Sequence, residues 1–221
     1  MVLRISEEVR RRFPDLRVLT AYIEGVKVGG RGEDLDRFEE EVIGDVRGRY
    51  DLSTVKDAFL FRAYRDFFWK IGIDPTKTRP AAEALIRRIL QGKPLPRINN
   101  VVDSYNLASI RTGIALAAFD WDRLAGGLTL RMAGEGELFL GIGMREPLKL
   151  KGKEVVVSDE EKIVAIYPYR DSDDTKITDE TTKILLLVCG VPGIDLETLE
   201  RAGRQAIEIV TRFCGGVGYM G

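Results

Sequence analysis

The stretch P-R-I-N-N-V-V-D-S-Y-N-L-A-S-I-R, residues 96–111, repeats apolar residues at helical spacing and repeats polar residues at the same spacing. Asn99, Asp103 and Asn106 are four and three residues apart, so a helix would present them along one stripe. Asn and Asp are weak helix formers because their side chains compete for backbone groups. The stripe is therefore either architectural, with Asn99 or Asn100 as a cap and Asp103 holding backbone amides, or the wall of a polar site.

Composition indicates an ordinary globular protein. The 221 residues are 44% hydrophobic and 31% charged, which allows one large core and argues against long disordered segments. No apolar run approaches the ~18 residues that cross a bilayer, and the charged N-terminus is unlike a signal sequence. We therefore expect a soluble, cytoplasmic protein without a membrane partner. A net charge of −1 argues against a protein whose whole surface binds nucleic acid, although it allows a local basic patch. We expect no DNA partner.

The chain contains no histidine, which excludes Ser-His-Asp triads, Cys-His pairs, histidine-ligated zinc and histidine acid–base catalysis. Its two cysteines, Cys189 and Cys214, are expected to be reduced core thiols. An enzyme of this composition would use carboxylates, lysines, hydroxyls, backbone amides, a bound metal or a group of its substrate.

The pattern of apolar residues predicts an α+β fold with mixed or antiparallel sheets and packed helices. Helices are expected at 2–12, 34–46, a segment capped by Ser53, 81–92, the opening stretch, and a final segment capped by Asp195. Strands are expected at 16–28, 127–132, 138–142, 154–157, 163–167 and 184–188. Turns separate most of these strands, which favours antiparallel pairing. The glycine-rich tail from residue 215 is expected to fray.

Residues 72–80, G-I-D-P-T-K-T-R-P, break the helical pattern and predict a boundary between an N-terminal α/β portion, residues 1–75, and a main domain, residues 76–221. An aromatic-rich helix at 55–71 lies just before that boundary. We interpret its aromatic residues as core, or as a surface that docks a protein partner.

Two charged segments are candidates for binding. Arg87, Arg88, Lys93 and Arg97 form the best basic segment for phosphate contact, with a solvated helix face as the alternative. Residues 167–183, Y-P-Y-R-D-S-D-D-T-K-I-T-D-E-T-T-K, connect two apolar strands, and loops held by a rigid scaffold often carry function. The alternative is an acidic surface loop. Its aspartates lack the alternation and closing glutamate of a calcium loop, so hydrogen bonding is favoured over metal binding and no cofactor is predicted.

Five blocks in this order resemble the B3/B4 domain of the phenylalanyl-tRNA synthetase beta subunit. They are I-N-N-V-V-D-S-Y-N, A-A-F-D-W-D-R-L, L-R-M-A-G-E-G-E-L-F-L-G, V-V-V-S-D and I-T-D-E-T-T-K-I-L-L-L. The similarity covers residues 78–213, and nothing resembles the other modules of that subunit. It implies a free-standing B3/B4-like domain with an N-terminal portion of its own.

In the synthetase this domain forms a pocket that hydrolyses tyrosine wrongly attached to phenylalanine tRNA. The resemblance implies a pocket for the 3′ end of an aminoacyl-tRNA. The catalytic candidates are Asp173, Asn106 and Thr175. The substrate-binding candidates are Asn99, Asp103, Arg170 and Asp171, and the opening stripe would line the pocket while Val102 and Tyr105 anchor the core.

Two departures from the family pattern change the expected pocket. The bacterial pattern has a histidine three residues before the aspartate of the A-F-D block, where this chain has Ala117. An ungapped match places Asp173 at the position of a substrate-sensing glutamate, with Asp171 or Asp174 there if the loop shifts. Two hypotheses stay open: a hydrolase that clears a mischarged tRNA in trans, and a module that binds tRNA, an amino acid or a modified nucleoside without catalysis.

Overall fold

The computed structural model describes residues 3–221, which fold into six α-helices and eleven strands. The helices are α1 (Glu7–Arg12), α2 (Glu33–Arg49), α3 (Phe59–Lys70), α4 (Ala81–Leu90), α5 (Asn100–Thr112) and α6 (Leu196–Cys214). Three short 3-10 helices occupy Val55–Asp57, Trp121–Arg123 and Asp173–Thr175. No helix in this part of the chain is long and apolar enough to span a membrane.

The strands are β1 (Leu3–Ile5), β2 (Val18–Glu24), β3 (Ala115–Asp120), β4 (Leu128–Met132), β5 (Glu135–Phe139), β6 (Leu148–Lys151), β7 (Val155–Ser158), β8 (Ile163–Ile166), β9 (Arg170–Asp171), β10 (Lys183–Cys189) and β11 (Val217–Met220). They form one sheet in the order β11-β2-β10-β3, a second in the order β1-β4-β7-β8-β9, and the hairpin β5-β6. Apart from the parallel β1–β4 pair, all pairings are antiparallel. The predicted α+β class with mixed and antiparallel sheets is confirmed.

Strand β10 is the centre of the four-stranded sheet. Its sequence K-I-L-L-L-V-C is apolar without alternation because residues 184–189 are buried, with β2 on one side and β3 on the other. Helices α5 and α6 pack together and cover this sheet, and the buried face of α6 includes Leu199, Ala202 and Val210. The predicted caps Asn99 and Asp195 both accept a backbone N–H of their own helix.

Long-range pairing overrides local pattern at both ends of the chain. The helix expected at 2–12 begins in fact at Glu7, after Ser6, whose hydroxyl accepts the Val9 N–H, and residue 2 lies outside the described residues. The preceding residues form β1, which pairs with β4. The tail expected to fray forms β11, which pairs with β2. Neither short strand has an alternating pattern long enough to predict it.

Two other predictions need correction in the middle of the chain. Ser53 does not cap the aromatic helix: its N–H and hydroxyl both bond Asp51 in a turn, and α3 begins only after Ala58. Strand β3, A-L-A-A-F-D, was not predicted because alanine is a poor strand former, yet all six of its residues are buried beside β10. Of the α3 aromatic residues, Phe59 and Trp69 are exposed and the other four are buried.

The N-terminal segment supplies strands to both sheets. Strand β1 extends the five-stranded sheet, and β2 lies between β11 and β10 in the other sheet. The division at residues 75 and 76 stays a prediction, but the hydrogen bonds of the first segment run into the rest of the chain.

Helix α3 is tied to the end of the β3–β10 ladder by one hydroxyl. The buried Tyr64 hydroxyl donates to the Cys189 carbonyl at 2.6 Å and accepts the Ala115 N–H at 3.0 Å. Ala115 and Cys189 are opposite each other in the ladder, so this hydroxyl bridges a strand pair.

Replacing Tyr64 with Phe should leave both of those buried backbone groups without a partner. We expect a loss of about 2 to 6 kcal/mol in the free energy of unfolding, because each of the two unsatisfied groups costs about 1 to 3 kcal/mol. Urea unfolding of Tyr64→Phe and of the control Tyr50→Phe measures this loss. Equal stability of the two variants would show that the bridge contributes nothing.

Candidate functional site

A cavity of about 170 Å³ lies where the two main sheets meet. It is bordered by the edge strands β3 and β9, by the end of β8, by the β10 end and by α5. Its lining residues are Ala81, Tyr105, Asn106, Ala115, Leu116, Ala117, Ala165, Ile166, Tyr167, Pro168, Tyr169, Arg170, Asp171, Leu187 and Cys189. Small apolar side chains dominate this lining, and the Tyr167–Pro168 peptide bond within it is cis. We call this cavity the sheet-edge pocket.

Strand β3 presents unused backbone groups to the sheet-edge pocket. In an antiparallel edge strand alternate N–H groups point away from the neighbouring strand. The Ala115 N–H points toward β10, where it meets the Tyr64 hydroxyl, whereas the Ala118 N–H lies close enough to the Asp171 carboxylate on β9 to lower its pKa. The Leu116 N–H, two residues before Ala118, therefore also points outward, into the pocket that Leu116 lines.

Asp171 carries the negative charge of the sheet-edge pocket. Burial raises the pKa of its carboxyl to about 7, although the hydrogen bond from the Ala118 N–H lowers it. Within residues 3–221, no lysine or arginine forms an ion pair with this carboxylate. Burial, and then the charge of Asp171, also raise the pKa values of the neighbouring Tyr105 hydroxyl and Cys189 thiol. Both therefore stay protonated at neutral pH.

Arg170 lies at the rim but does not turn its charge toward Asp171. Its guanidinium donates to the Ile142 carbonyl at 3.0 Å and lies 5.2 Å from the Tyr169 ring centre. Gly141 makes this position available, because a Cβ there would lie 2.4 Å from the Arg170 Cδ. The G-I-G sequence from Gly141 thus serves packing.

The polar stripe of the opening stretch divides into separate roles. The Asn99 carbonyl caps α5, and Asp103 accepts the Ile98 N–H at 3.0 Å and an arginine N–H at 2.9 Å. Only Asn106 lines the sheet-edge pocket, and Tyr105, expected in the core, lines it as well. Seven residues of helix span about 10 Å, so side chains on one stripe meet different neighbours along its length.

The arginine that binds Asp103 is Arg31, from the glycine-rich segment before α2. Its guanidinium bonds the carboxylates of Asp36, Glu39 and Asp103, and its side chain is only 9% exposed. Sequence reasoning did not find this residue, because its acidic partners come from two helices separated by more than 50 positions. Both oxygens of Asp103 are therefore engaged within the fold, and its predicted role as a substrate contact stays a prediction.

Asp173 and Thr175, predicted as catalytic, do not line the sheet-edge pocket. Both oxygens of Asp173 bond the Lys176 ammonium at 2.8 and 2.9 Å, and its side chain is 37% exposed. Thr175 is fully buried elsewhere, and its hydroxyl has no hydrogen-bond partner among residues 3–221. Asp171 reaches the pocket because it lies on β9, where it pairs with Ala165 of β8. The chain then turns into the 3-10 helix that contains Asp173 and Thr175. Of the three aspartates considered for the sensing position, Asp171 is the one that lines the sheet-edge pocket.

The four basic candidates do not form one free surface. Arg87 donates to the Leu52 carbonyl at 3.2 Å, and Arg97 lies 3.4 Å from the Asp36 carboxylate. Arg88 and Lys93 are exposed at the end of α4, where Arg88 also bonds the Pro94 carbonyl. The charge available to a ligand is therefore concentrated at Arg88 and Lys93.

Comparison with known proteins identifies the family of this chain. A sequence profile described as the B3/4 domain matches residues 63–215. The chain belongs to the B3/4 domain family. This B3/4 domain is 36% identical over 93 residues to the phenylalanine–tRNA ligase beta subunit of Protochlamydia amoebophila, covering 42% of the chain and 12% of that protein. It is 37% identical over 108 residues to the same subunit of Geobacter metallireducens, covering 48% and 13%.

A solved structure shares the fold. It is an N-terminal fragment of the phenylalanyl-tRNA synthetase beta subunit from Pyrococcus horikoshii, with a TM-score of 0.54 at 14% identity. The match covers 98% of this B3/4 domain and 50% of that fragment, so it extends over the N-terminal strands too. The chain spans only about an eighth of the length of the curated relatives named above.

The architectural role of Asp103 can be tested by Asp103→Ala. Removing one partner of a buried ion pair costs about 3 to 5 kcal/mol, and because Arg31 keeps Asp36 and Glu39 we expect the lower end of that range. Chemical unfolding measures the loss. The control is Asp34→Ala, which removes an exposed ion pair with Arg37 and should change stability by less than about 0.5 kcal/mol. Similar values for both variants would contradict the buried role.

Asp171 should make the stability of the B3/4 domain depend on pH. Between about pH 4 and pH 7 its carboxyl is protonated in the folded protein and ionised in the unfolded chain, so folding stability falls as pH rises through that window. Asp171→Asn removes this effect. The free energy of unfolding of the variant minus that of the wild type should therefore be larger at pH 8 than at pH 4. Each pKa unit corresponds to about 1.4 kcal/mol, so the gain should reach a few kcal/mol. Urea unfolding from pH 4 to pH 8 measures this, with Asp173→Asn as control. A stability difference between Asp171→Asn and the wild type that does not change with pH would contradict the prediction.

Proposed function

We propose that this B3/4 domain binds the 3′ end of an aminoacyl-tRNA in the sheet-edge pocket and hydrolyses a mischarged aminoacyl ester in trans. The observation that carries the proposal is the meeting of an unpaired carboxylate, an amide side chain and outward-facing backbone N–H groups in one small cavity. Its named relatives are subunits of a tRNA ligase, which supports tRNA as the partner. A volume of about 170 Å³ suits a single aminoacyl group, since drug-sized ligands need about 300 Å³ or more.

Ester hydrolysis needs a positioned water and donors for the oxygen that becomes negative in the tetrahedral intermediate. The outward N–H of Leu116 and the Asn106 carboxamide are the donors that the sheet-edge pocket offers. Asp171 contacts the aminoacyl group. Because the chain has no histidine, a free hydroxyl of the terminal ribose assists the attacking water.

The nucleic acid would approach along α4. Ala81, at the start of this helix, lines the pocket, and Arg88 lies seven residues further along. That separation is about 10 Å, which is within reach of the phosphates next to a bound 3′ nucleotide. Arg88 and Lys93 would then contribute salt-dependent phosphate contacts.

A second candidate is binding without catalysis, and Ala117 favours it. This residue lines the sheet-edge pocket at the position where the bacterial pattern has a histidine. A pocket that retains shape and charge but lacks the imidazole of the family pattern would hold an aminoacyl group without cleaving it.

Deacylation of a panel of tRNAs carrying correct and incorrect amino acids distinguishes the two candidates. We expect selective release by the wild type, at least about 10-fold slower release by Asp171→Asn because a charge-assisted contact is lost, and unchanged release by Asp173→Asn. The matched control removes a carboxylate two residues away that bonds Lys176 outside the pocket. Equal loss in both variants would contradict the assignment of the pocket. Binding of aminoacyl-tRNA without release from any member would favour the non-catalytic module.

A further inference from the structure

We propose that Asp171, with Asn106 and Tyr105, forms a subsite for the free α-ammonium group of the aminoacyl ligand. The sheet-edge pocket would then select unblocked α-amino acyl groups and reject N-acylated or α-hydroxy acyl groups. This inference rests on the proposed function and gives it a chemical selectivity.

The first step is that the carboxylate lacks a counter-ion. Asp171 shares its pocket with Ala115, Leu116, Ala117 and Leu187, whose side chains offer no charge or hydrogen bond. An ionised carboxylate in apolar surroundings is costly unless it is paired. A ligand that brings a cation would remove this cost, so the pocket favours a positively charged group.

The second step is that the protein itself does not supply that cation. The groups that face Asp171 are the Tyr105 hydroxyl from α5, the Ala118 N–H from β3 and the Cys189 thiol from β10, all of them uncharged at neutral pH. Arg170 is held by the Ile142 carbonyl and by the ring of Tyr169. Within residues 3–221, the nearest lysine of the same loop, Lys176, is bonded to Asp173.

The third step identifies the kind of cation. The Asp171 carboxylate, the Asn106 carbonyl and the Tyr105 hydroxyl oxygen give three kinds of acceptor, which match the three N–H donors of a primary ammonium. A hard metal ion needs about six oxygen ligands, and Asp171 is the only carboxylate among the lining residues. Of the three tyrosines that line the pocket, Tyr169 already has the Arg170 guanidinium 5.2 Å from its ring centre and Tyr167 is buried with its hydroxyl on the Gly190 carbonyl, which argues against an aromatic cage for a methylated amine.

Ligand binding to this subsite should depend on pH through the Asp171 carboxyl, which a purely structural role of Asp171 would not cause. The carboxylate must be ionised to bind an ammonium, and its pKa in the free protein is raised to about 7 by burial. Binding below that pH should release one proton, and affinity should fall about 10-fold for each pH unit below 7.

The test uses amide analogues of the aminoacylated terminal adenosine, which cannot be hydrolysed. Three matched forms of each amino acid are compared: the free amine, the N-acetyl form, and the α-hydroxy form without nitrogen. Titration calorimetry at pH 8 should show the free amine binding about 10- to 100-fold more tightly than the other two, as expected for a charge-assisted contact. Repeating the titration at pH 6 in two buffers of different ionisation enthalpy measures the proton released.

Two variants keep the test specific. Asp171→Asn should bind all three forms with similar affinity and release no proton, whereas Asp173→Asn should behave as the wild type. Equal binding of the three forms by the wild type would overturn the ammonium subsite and leave the aminoacyl pocket standing. Failure of every form to bind, together with no deacylation and no binding of any aminoacyl-tRNA, would overturn the proposed function and the subsite with it.

Discussion

A β-sheet that does not close on itself ends in two edge strands, whose outward backbone groups need partners. In this B3/4 domain two such edges, β3 and β9, lie side by side and belong to different sheets. The Asp171 carboxylate lies against one outward N–H of β3, at Ala118, which lowers the pKa of this carboxyl. The remaining space becomes the sheet-edge pocket, so the pocket exists because the sheets meet without merging.

Much of the frame follows from the sequence because its signals are local. The cap at Asn99, the cap at Asp195 and the apolar run of β10 each depend on residues within one element, and each was predicted. Strands β1 and β11 could not be predicted in this way, since their only support is pairing with distant strands. The short β3, rich in alanine, is a strand because β10 and the helices bury it.

The loop of the candidate site was harder to resolve from the sequence for a related reason. Asp173 was expected as a catalytic residue and Asp171 as a substrate contact, and in the structure Asp171 borders the cavity whereas Asp173 faces Lys176. Three aspartates within four positions are equivalent in a sequence, and only the pairing of β9 with β8 decides which of them reaches the neighbouring sheet. Asn106 could be placed beside a pocket because it lies on a well-marked helix, while Arg31 joins two helices and left no local pattern; the catalytic role of Asn106 stays a prediction.

The blocks that carry the family resemblance mostly build the frame. Asp120 of the A-F-D block accepts the hydroxyl of Thr181 from the D-E-T block at 2.7 Å. Arg131 forms a double hydrogen bond with Glu137 in its own block and also bonds Ser158 of the V-V-V-S-D block. A chain can therefore keep these blocks, and hence the fold, while the pocket residues change, as at Ala117.

Strand β2 lies outside the residues that match the family, yet it is part of the central sheet. The match begins at residue 63, but β2 comes before it and pairs with all seven residues of β10. A fragment cut to the matched residues would leave β10 with a bare, apolar edge, which is a template for association between copies. A fragment that keeps the β10 edge covered must therefore include β2 and is longer than the matched residues alone.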